Sequence, residues 1–244
     1  MTKKPLTIIY SLYNVQDKLK QIHIDNWKTY PDELKENINI ILVDDCSDTP
    51  FDLELDFPIN LTVARITTDV GYNIGGAKNL GFYLASKGWC FSTDIDHILP
   101  AEECKKCLSL RKKRNKLYQF YRYLPNGVLY EKIHGNTYMI HKEDFWGVGG
   151  YDEDFTPRYG YEDTWLKFLL FNTGIRTIGT NIHVILYNVP HQEEFLSYPI
   201  KRREGDRLIN KQIYDHKSQL FEKGKYQQTL SLRFSYEITK EYHV

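Results

Sequence analysis

Two aspartates, Asp94 and Asp96, stand one residue apart at the end of a short apolar stretch, residues 89–93. Because side chains alternate along an extended chain, both carboxylates face the same side. Hard oxygen ligands in this position suit Mg²⁺ or Mn²⁺, and such ions keep coordination positions open for phosphate oxygens. An isolated Asp-x-Asp triplet is more often a polar turn, so the metal interpretation depends on the residues that accompany it.

A second carboxylate pair, Asp44 and Asp45, ends an earlier apolar run. These side chains could accept hydrogen bonds from a base and a ribose, although Asp also favours turns. Between the two pairs lies a glycine-dense segment, residues 71–81, whose glycines permit a close approach of the backbone to a ligand. Lys78 in this segment could reach a phosphate or the carboxylates of the metal site. The glycine spacing is not the G-x-G-x-x-G of dinucleotide-binding proteins.

The second half of the chain carries two more acidic segments, residues 149–155 and 159–165. In the latter, Glu162 and Asp163 precede an apolar helical pattern. They could stabilise the helix N-terminus, or one carboxylate could accept the proton of an attacking hydroxyl, and the residues alone leave both roles open. His191 follows a predicted strand and precedes further carboxylates. A lone His is usually structural, but imidazole is also a good Mn²⁺ ligand.

The apolar pattern indicates how these groups are positioned. Short β-rich runs alternate with segments of helical spacing, which predicts an α/β fold with a largely parallel sheet. In such sheets ligands bind beyond the carboxyl ends of the strands, where both aspartate pairs fall. The predicted strands are 6–12, 38–43, 61–66, 89–93, 118–123, 127–141 and 177–186. The predicted helices are 14–28, 75–87, 101–114 and 164–172, with a Gly-rich turn at 145–151 and a polar helical tail from 198.

Composition excludes several classes of protein. Lysine plus arginine equals aspartate plus glutamate at 32 each, which argues against nucleic acid as a partner. The four cysteines do not suggest a disulfide framework in a chain of 244 residues, and the Cys104–Cys107 pair lacks a second pair for a zinc site. The apolar run near the N-terminus is too short for a signal sequence or a transmembrane segment. We therefore expect a soluble, cytoplasmic protein.

In their order, the motifs resemble those of inverting glycosyltransferases of the GT-A fold. That family shows VDDxSxD at a strand end, a Gly segment ending in Asn, DxD, GG(F/Y)DE, an ED pair and a late His. The corresponding segments here are 43–48, 75–79, 94–96, 149–153, 159–163 and His191, and the resemblance covers about residues 5–195. Residues 91–96 and 149–163 look most like β-1,4-galactosyltransferases and chondroitin-polymerase-type family 2 enzymes.

The resemblance implies a GT-A, Rossmann-like sheet that is mixed but mainly parallel and flanked by helices. It implies transfer of a sugar from a nucleotide-diphosphate donor, UDP-sugar in preference to GDP-sugar, to a carbohydrate or other acceptor hydroxyl. By the same resemblance Asp96 and His191 hold Mn²⁺ or Mg²⁺, Asp163 is the general base and Glu162 holds the donor sugar or acceptor. The implied donor contacts are Ser11, Tyr13, Asp44, Asp45, Gly76, Lys78, Asn79 and Asp94. The implied acceptor platform is Trp146, Tyr159 and Tyr161.

The sequence departs from the pattern at three places. Tyr159-Gly160-Tyr161 stands where galactosyltransferases have Trp-Gly-Gly, so sugar specificity does not transfer. Cys46 replaces the usual Gly of VDDGS, which leaves the geometry of that turn open. His97, directly after Asp96, could be a competing metal ligand.

We expect a catalytic domain over residues 1–197 and a helical extension of the same domain over 198–244. The size and the lack of an anchor favour a bacterial or viral origin over a Golgi enzyme. Two alternatives stay open. One is a retaining, GDP-sugar-dependent or nucleotidyl-transferring relative of the same fold, and the other is a non-catalytic carbohydrate-binding module.

Overall fold

The computed structural model of the chain describes residues 6–131, 133, 135–187, 200–228 and 231–244. Within them ten strands form one mixed sheet with helices packed on both faces. In chain order, strands β1 to β10 are Leu6–Leu12, Ile38–Asp44, Leu61–Ile66, Trp89–Asp94, His97–Ile98, Lys116–Tyr123, Leu129–Glu131, Tyr138–His141, Arg176–Leu186 and Tyr236–Tyr242. Helices α1 to α7 are Asp17–Lys28, Asp32–Glu36, Ile74–Leu84, Ala101–Ser109, Lys142–Trp146, Glu162–Asn172 and Ile200–Glu222.

Four parallel strands form one half of the sheet in the order β3-β2-β1-β4. Successive residues of β1 enter opposite cores, since Ile8 and Tyr10 belong to one apolar cluster and Ile9 to the other. Strands buried on both faces have continuous apolar sequences, which is why the sequence predicted them with nearly correct bounds. The predicted α/β fold with a mixed, mainly parallel sheet is confirmed.

The other half of the sheet is mixed. β8 runs antiparallel to both β4 and β6, while β9 runs parallel to β6. The segment predicted as strand over 127–141 contains two strands, β7 and β8. The helix predicted over 101–114 ends at Ser109. α5, which ends at Trp146, overlaps the start of the segment predicted as a turn over 145–151.

The C-terminal part differs from its prediction. α7 confirms a helix after residue 198, but β10 lies antiparallel to β3 at the edge of the sheet, so the prediction of a wholly helical extension is wrong there. The exposed backbone edge of β3 offers hydrogen bonds that outweigh weak local preference in a polar segment. Among the described helices, none combines the length and apolarity needed to cross a membrane. The division at residue 197 stays a prediction.

Candidate active site

The carboxyl ends of the central parallel strands bring the predicted site residues to one edge of the sheet. Leu12 of β1 pairs with Asp44 of β2, and Ser11 pairs with Asp94 of β4. Ser11 is buried, whereas the next aromatic residue, Tyr13, is partly exposed at this edge. These groups therefore lie at the strand ends, as the sequence predicted.

Asp94, Asp96 and His97 form a group that could hold a metal ion. One ligand atom from each of the three residues lies within 4.8 Å of the others. The Asp94 and Asp96 side chains are 26% and 25% exposed, so part of each side chain is open to an incoming ion and its remaining ligands. This pair of hard carboxylates fits Mn²⁺ or Mg²⁺ that also coordinates phosphate oxygens.

His97 is held between a carboxylate and a guanidinium. Its Nδ1 lies 2.7 Å from Asp96 Oδ1, and its Nε2 lies 3.3 Å from Nη1 of the buried Arg122. A guanidinium can only donate, so Nε2 is the acceptor and Nδ1 carries a hydrogen on the side of the ring that faces Asp96. In this arrangement His97 could orient the Asp96 carboxylate.

The turn between the two aspartates is supported from α1. Nε2–H of His23 donates to the carbonyl of Ile95 at 2.6 Å. His23 is only 1% exposed, and burial lowers its pKa to about 4, so the ring is neutral near pH 7. Nothing in the sequence singles out His23, because a His among apolar residues of a helix has no distinguishing pattern.

Lys78 connects the metal-capable group, which is Asp94, Asp96 and His97, to the acidic pair Glu162 and Asp163. Its side chain is completely buried, and Nζ lies 3.0 Å from Asp94 Oδ1. Burial alone would lower the pKa of Lys78, but the carboxylates of Asp94 and Asp163 outweigh it and hold the pKa above the ordinary value. The lysine stays protonated and supplies a fixed positive charge within the site.

The acidic pair begins α6. Tyr161, just before it, has a φ of 70°, a left-handed conformation that a non-glycine residue adopts at some cost in energy. Glu162 is buried, and burial, followed by the charge of Asp163, raises its pKa. Asp163 is partly exposed and accepts a hydrogen bond of 2.9 Å from the Tyr151 hydroxyl. The two adjacent carboxyl groups thus differ in environment, a difference that can give two such groups different acid–base behaviour.

The glycines of residues 149–153 permit close packing against α3. Gly150 has a φ of 73°, and a Cβ there would lie 2.6 Å from Asn79 Oδ1. Asn79 donates to the carbonyl of Tyr151 and to Glu153 Oε1, each at 2.9 Å, and accepts from the Tyr151 N–H at 2.8 Å. The Asn79 amide thus holds this loop, and its implied donor contact stays a prediction.

Asp44 and Asp45 also have protein partners. Asp44 pairs with Arg65 at 2.6 Å and accepts from the backbone N–H groups of Ser47 and Phe51, which holds the turn after β2. Asp45 accepts from the N–H of Asn73 at 3.1 Å, and burial raises its pKa to about 7. Their predicted contacts with a base and ribose remain predictions, and Asp45, with fewer partners, is the better placed for one.

The implied acceptor residues lie in different surroundings. Tyr159 and Tyr161 both contact α7: the guanidinium of Arg203 lies 4.8 Å from the Tyr159 ring, and Tyr161 packs 5.5 Å from Tyr214. Trp146 packs in an apolar core at the end of α5. α5 follows β8 directly. The last residue of β8 pairs with the first residue of β4, so α5 begins near the end of β4 that is remote from Asp94.

Two further predicted residues complete the set. Gly76 lies in α3, where a Cβ would come within 2.3 Å of Asn73 Oδ1, so the glycine allows that side chain to pack. His191 lies outside the described residues. Sequence reasoning missed the buried residues that support the site, namely His23, Arg122, Tyr138 and, for its hydroxyl, Tyr151, because the contacts that reveal them form between different strands, helices and loops of the folded chain.

The fold is that of the GT-A glycosyltransferases. The mannosyltransferase PcManGT from Pyrobaculum calidifontis, solved with GDP-Man and Mn²⁺, matches with a TM-score of 0.55 at 18% identity, over 78% of this chain and 59% of its own. GalNAc-T7, solved with UDP, GalNAc and Mn²⁺, matches with a TM-score of 0.58 at 14% identity, over 76% of this chain and 44% of its own.

S. aureus TarS also matches, with a TM-score of 0.55 at 15% identity, over 76% of this chain and 37% of its own. The chain therefore spans less than two thirds of each of these proteins. Neither a protein-family model nor a curated protein matches the sequence. At these identities the likeness establishes the shared fold.

Proposed function

We propose that the chain is a metal-dependent inverting glycosyltransferase, which moves a sugar from a nucleotide-diphosphate donor to an acceptor hydroxyl. The observation that carries the proposal is the placement of Lys78, which contacts Asp94 of the metal-capable group and whose pKa is raised by the charges of Asp94 and Asp163. A cation-binding carboxylate and a proton-accepting carboxylate thus share one site. Two of the solved GT-A proteins described above contain Mn²⁺ together with a nucleotide or nucleotide sugar.

On the donor side, Asp94 and Asp96 would hold Mn²⁺ or Mg²⁺. When bound, the cation would offset the negative charge of the departing diphosphate. Lys78 adds a positive charge that needs no reorganisation, because its side chain is buried and already paired with Asp94. His191 is proposed as a further ligand on the resemblance alone, and a UDP-sugar is the proposed donor on the same ground.

On the acceptor side, Asp163 would take the proton of the attacking hydroxyl. Its partial exposure leaves it accessible, and the hydrogen bond from Tyr151 fixes one oxygen. The raised pKa of Glu162 favours its protonated form, in which it can donate a hydrogen bond to a sugar oxygen. Attack on the face opposite the leaving diphosphate gives inversion.

Donor binding is tested by thermal unfolding with UDP-glucose, UDP-galactose, UDP-GlcNAc, UDP-GalNAc and GDP-mannose, each without metal, with MnCl₂ and with MgCl₂. The true donor should raise the midpoint by mass action, and should do so only when one of the two cations is present. A GDP-mannose response would replace the proposed UDP donor. If no nucleotide sugar shifts the midpoint with either Mn²⁺ or Mg²⁺, the proposed donor site is wrong.

The base is tested with Asp163→Asn, using release of nucleoside diphosphate from the donor so identified. We expect a loss of about a hundredfold or more in turnover with little change in donor affinity. Asp215→Asn, on the exposed side of α7, is the control and should behave as wild type. Full turnover by Asp163→Asn would refute the base assignment. Retention of the donor's anomeric configuration in the product would refute inversion, and donor binding without turnover would favour a binding module.

A further inference from the structure

Two buried tyrosine hydroxyls lead to Asp163. The Tyr138 hydroxyl donates to the Tyr151 hydroxyl at 3.0 Å, and the Tyr151 hydroxyl donates to Asp163 Oδ1 at 2.9 Å. Both tyrosines are at most 1% exposed. A series of hydrogen bonds that ends on a carboxylate polarises each member, so each bond strengthens the next.

The direction of these hydrogen bonds follows from the surroundings. Burial raises the pKa of both hydroxyls well above the ordinary value, and the charge of Asp163 raises that of Tyr151 further. Both hydroxyls therefore keep their protons. Tyr151 must donate to the carboxylate, which has no proton to give when ionised, and the Tyr138 proton then points at the Tyr151 oxygen.

Rigid elements hold both rings. Tyr138 lies on β8 and pairs with Ser92 of β4. Ser92 is two residues before Asp94 on that strand. The backbone N–H and carbonyl of Tyr151 are both bonded to the Asn79 side chain. The ammonium of Lys78 lies 5.7 Å from the centre of the Tyr151 ring, which provides a favourable cation–π contact. The hydroxyl series thus ties Asp163, on α6, to β8, which pairs with the strand that carries Asp94.

We propose that Tyr151 is a positioning residue that fixes the carboxylate of Asp163 relative to the metal-capable group, and that Tyr138 holds Tyr151 in place. The inference rests on the proposed function, since it takes Asp163 as the base. Removing one buried hydroxyl frees the carboxylate to rotate without changing the metal-binding groups.

The first test compares Tyr151→Phe with Tyr30→Phe. Tyr30 is the matched control, because it is also buried and its hydroxyl also makes a hydrogen bond, to the Leu99 carbonyl, away from Asp163. We expect Tyr151→Phe to lower kcat about tenfold to a hundredfold, as a small misplacement of a reacting group does. Affinity for UDP with MnCl₂ should stay as in wild type, and Tyr30→Phe should keep wild-type kcat. Tyr138→Phe should lower kcat less than Tyr151→Phe, because it acts one hydroxyl further away.

The second test combines Tyr151→Phe with Asp163→Asn. If Tyr151 acts through Asp163, the double variant should turn over as slowly as Asp163→Asn alone, because the effects of residues that act as a unit do not add. A full additional loss in the double variant, or wild-type kcat in Tyr151→Phe, would overturn the inference and leave the proposed function standing. Wild-type kcat in Asp163→Asn would instead remove the proposed base, and the inference with it.

Discussion

Cys46 adopts a conformation that its side chain does not favour. It stands where the GT-A pattern usually has Gly, and its φ of 57° lies in the left-handed region that glycine adopts freely. The turn after β2 thus keeps a glycine conformation with a non-glycine residue. For an L-residue this conformation costs roughly 1–2 kcal/mol. A glycine would avoid that cost, but part of the gain would be lost because glycine gives the unfolded chain more conformational entropy.

We therefore expect Cys46→Gly to raise the free energy of unfolding by about 0.5–1 kcal/mol, or about 2–4 °C in Tm at most. Urea or thermal unfolding without ligand measures it. Asn115→Gly is the control, because Asn115 also has a positive φ of 60° but Asn tolerates it better, so the gain should be smaller. A less stable Cys46→Gly protein would show that the thiol contributes packing that outweighs the strain.

His97 gives a second prediction at the level of single residues. If it orients Asp96, then His97→Ala should weaken Mn²⁺ binding about tenfold to a hundredfold, the usual effect of losing a partner of a metal ligand. Titration of free Mn²⁺ by electron paramagnetic resonance measures this directly. His183→Ala, which removes a partly exposed His beside Glu103, should bind Mn²⁺ as wild type does. Equal affinity in the His97 and His183 variants would contradict the orienting role.

At the level of elements, the sequence predicted what depends on local pattern. The strands β1 to β4 were predictable because burial on both faces requires unbroken apolar runs, and the aspartates at their ends mark the site edge. β10 was not, because its pairing depends on the exposed edge of β3, more than 160 residues earlier in the chain. For the same reason no pattern identified Glu153 as the anchor of the C-terminal segment.

Glu153 joins the loop at residues 149–153 to the segment between α7 and β10. It is buried, and its carboxylate accepts from the backbone N–H groups of Leu232 and Arg233 and from Asn79. Glu153→Ala leaves these donors without their acceptor, which should cost about 2–4 kcal/mol of stability. Limited proteolysis with mass spectrometry should then show faster cleavage near residue 232. Glu143→Ala is the control, since Glu143 is 62% exposed and should cost less than about 1 kcal/mol. Equal cleavage rates would show that Glu153 does not anchor this segment.

At the level of the whole molecule, the site is built from two kinds of residue. Charged groups at the sheet edge were predictable because aspartates at strand ends, glycine loops and the ED pair are local signals. The supporting residues were not, since His23 reaches Ile95 across 72 positions and Tyr151 reaches Asn79 across 72 as well. Such contacts exist only after the chain has folded, so the sequence indicates the reacting groups more readily than their supports.

His23 makes the stability of the whole fold depend on pH. Its pKa is about 4 when folded against 6.5 for the free side chain, so on acidification the unfolded state binds a proton first. The stability it contributes is present above pH 6.5 and is lost as pH falls towards 4, by on the order of 3 kcal/mol. Asp45 and Glu162, with pKa values raised by burial, change the stability in the opposite direction as pH falls.

The effect of His23 should therefore be measured as a difference between wild type and His23→Gln, which keeps an amide donor for Ile95. Between pH 7 and pH 4.5, wild type should lose more free energy of unfolding than this variant. The exposed His216→Gln variant should follow wild type, and parallel curves for wild type and His23→Gln would contradict the assignment.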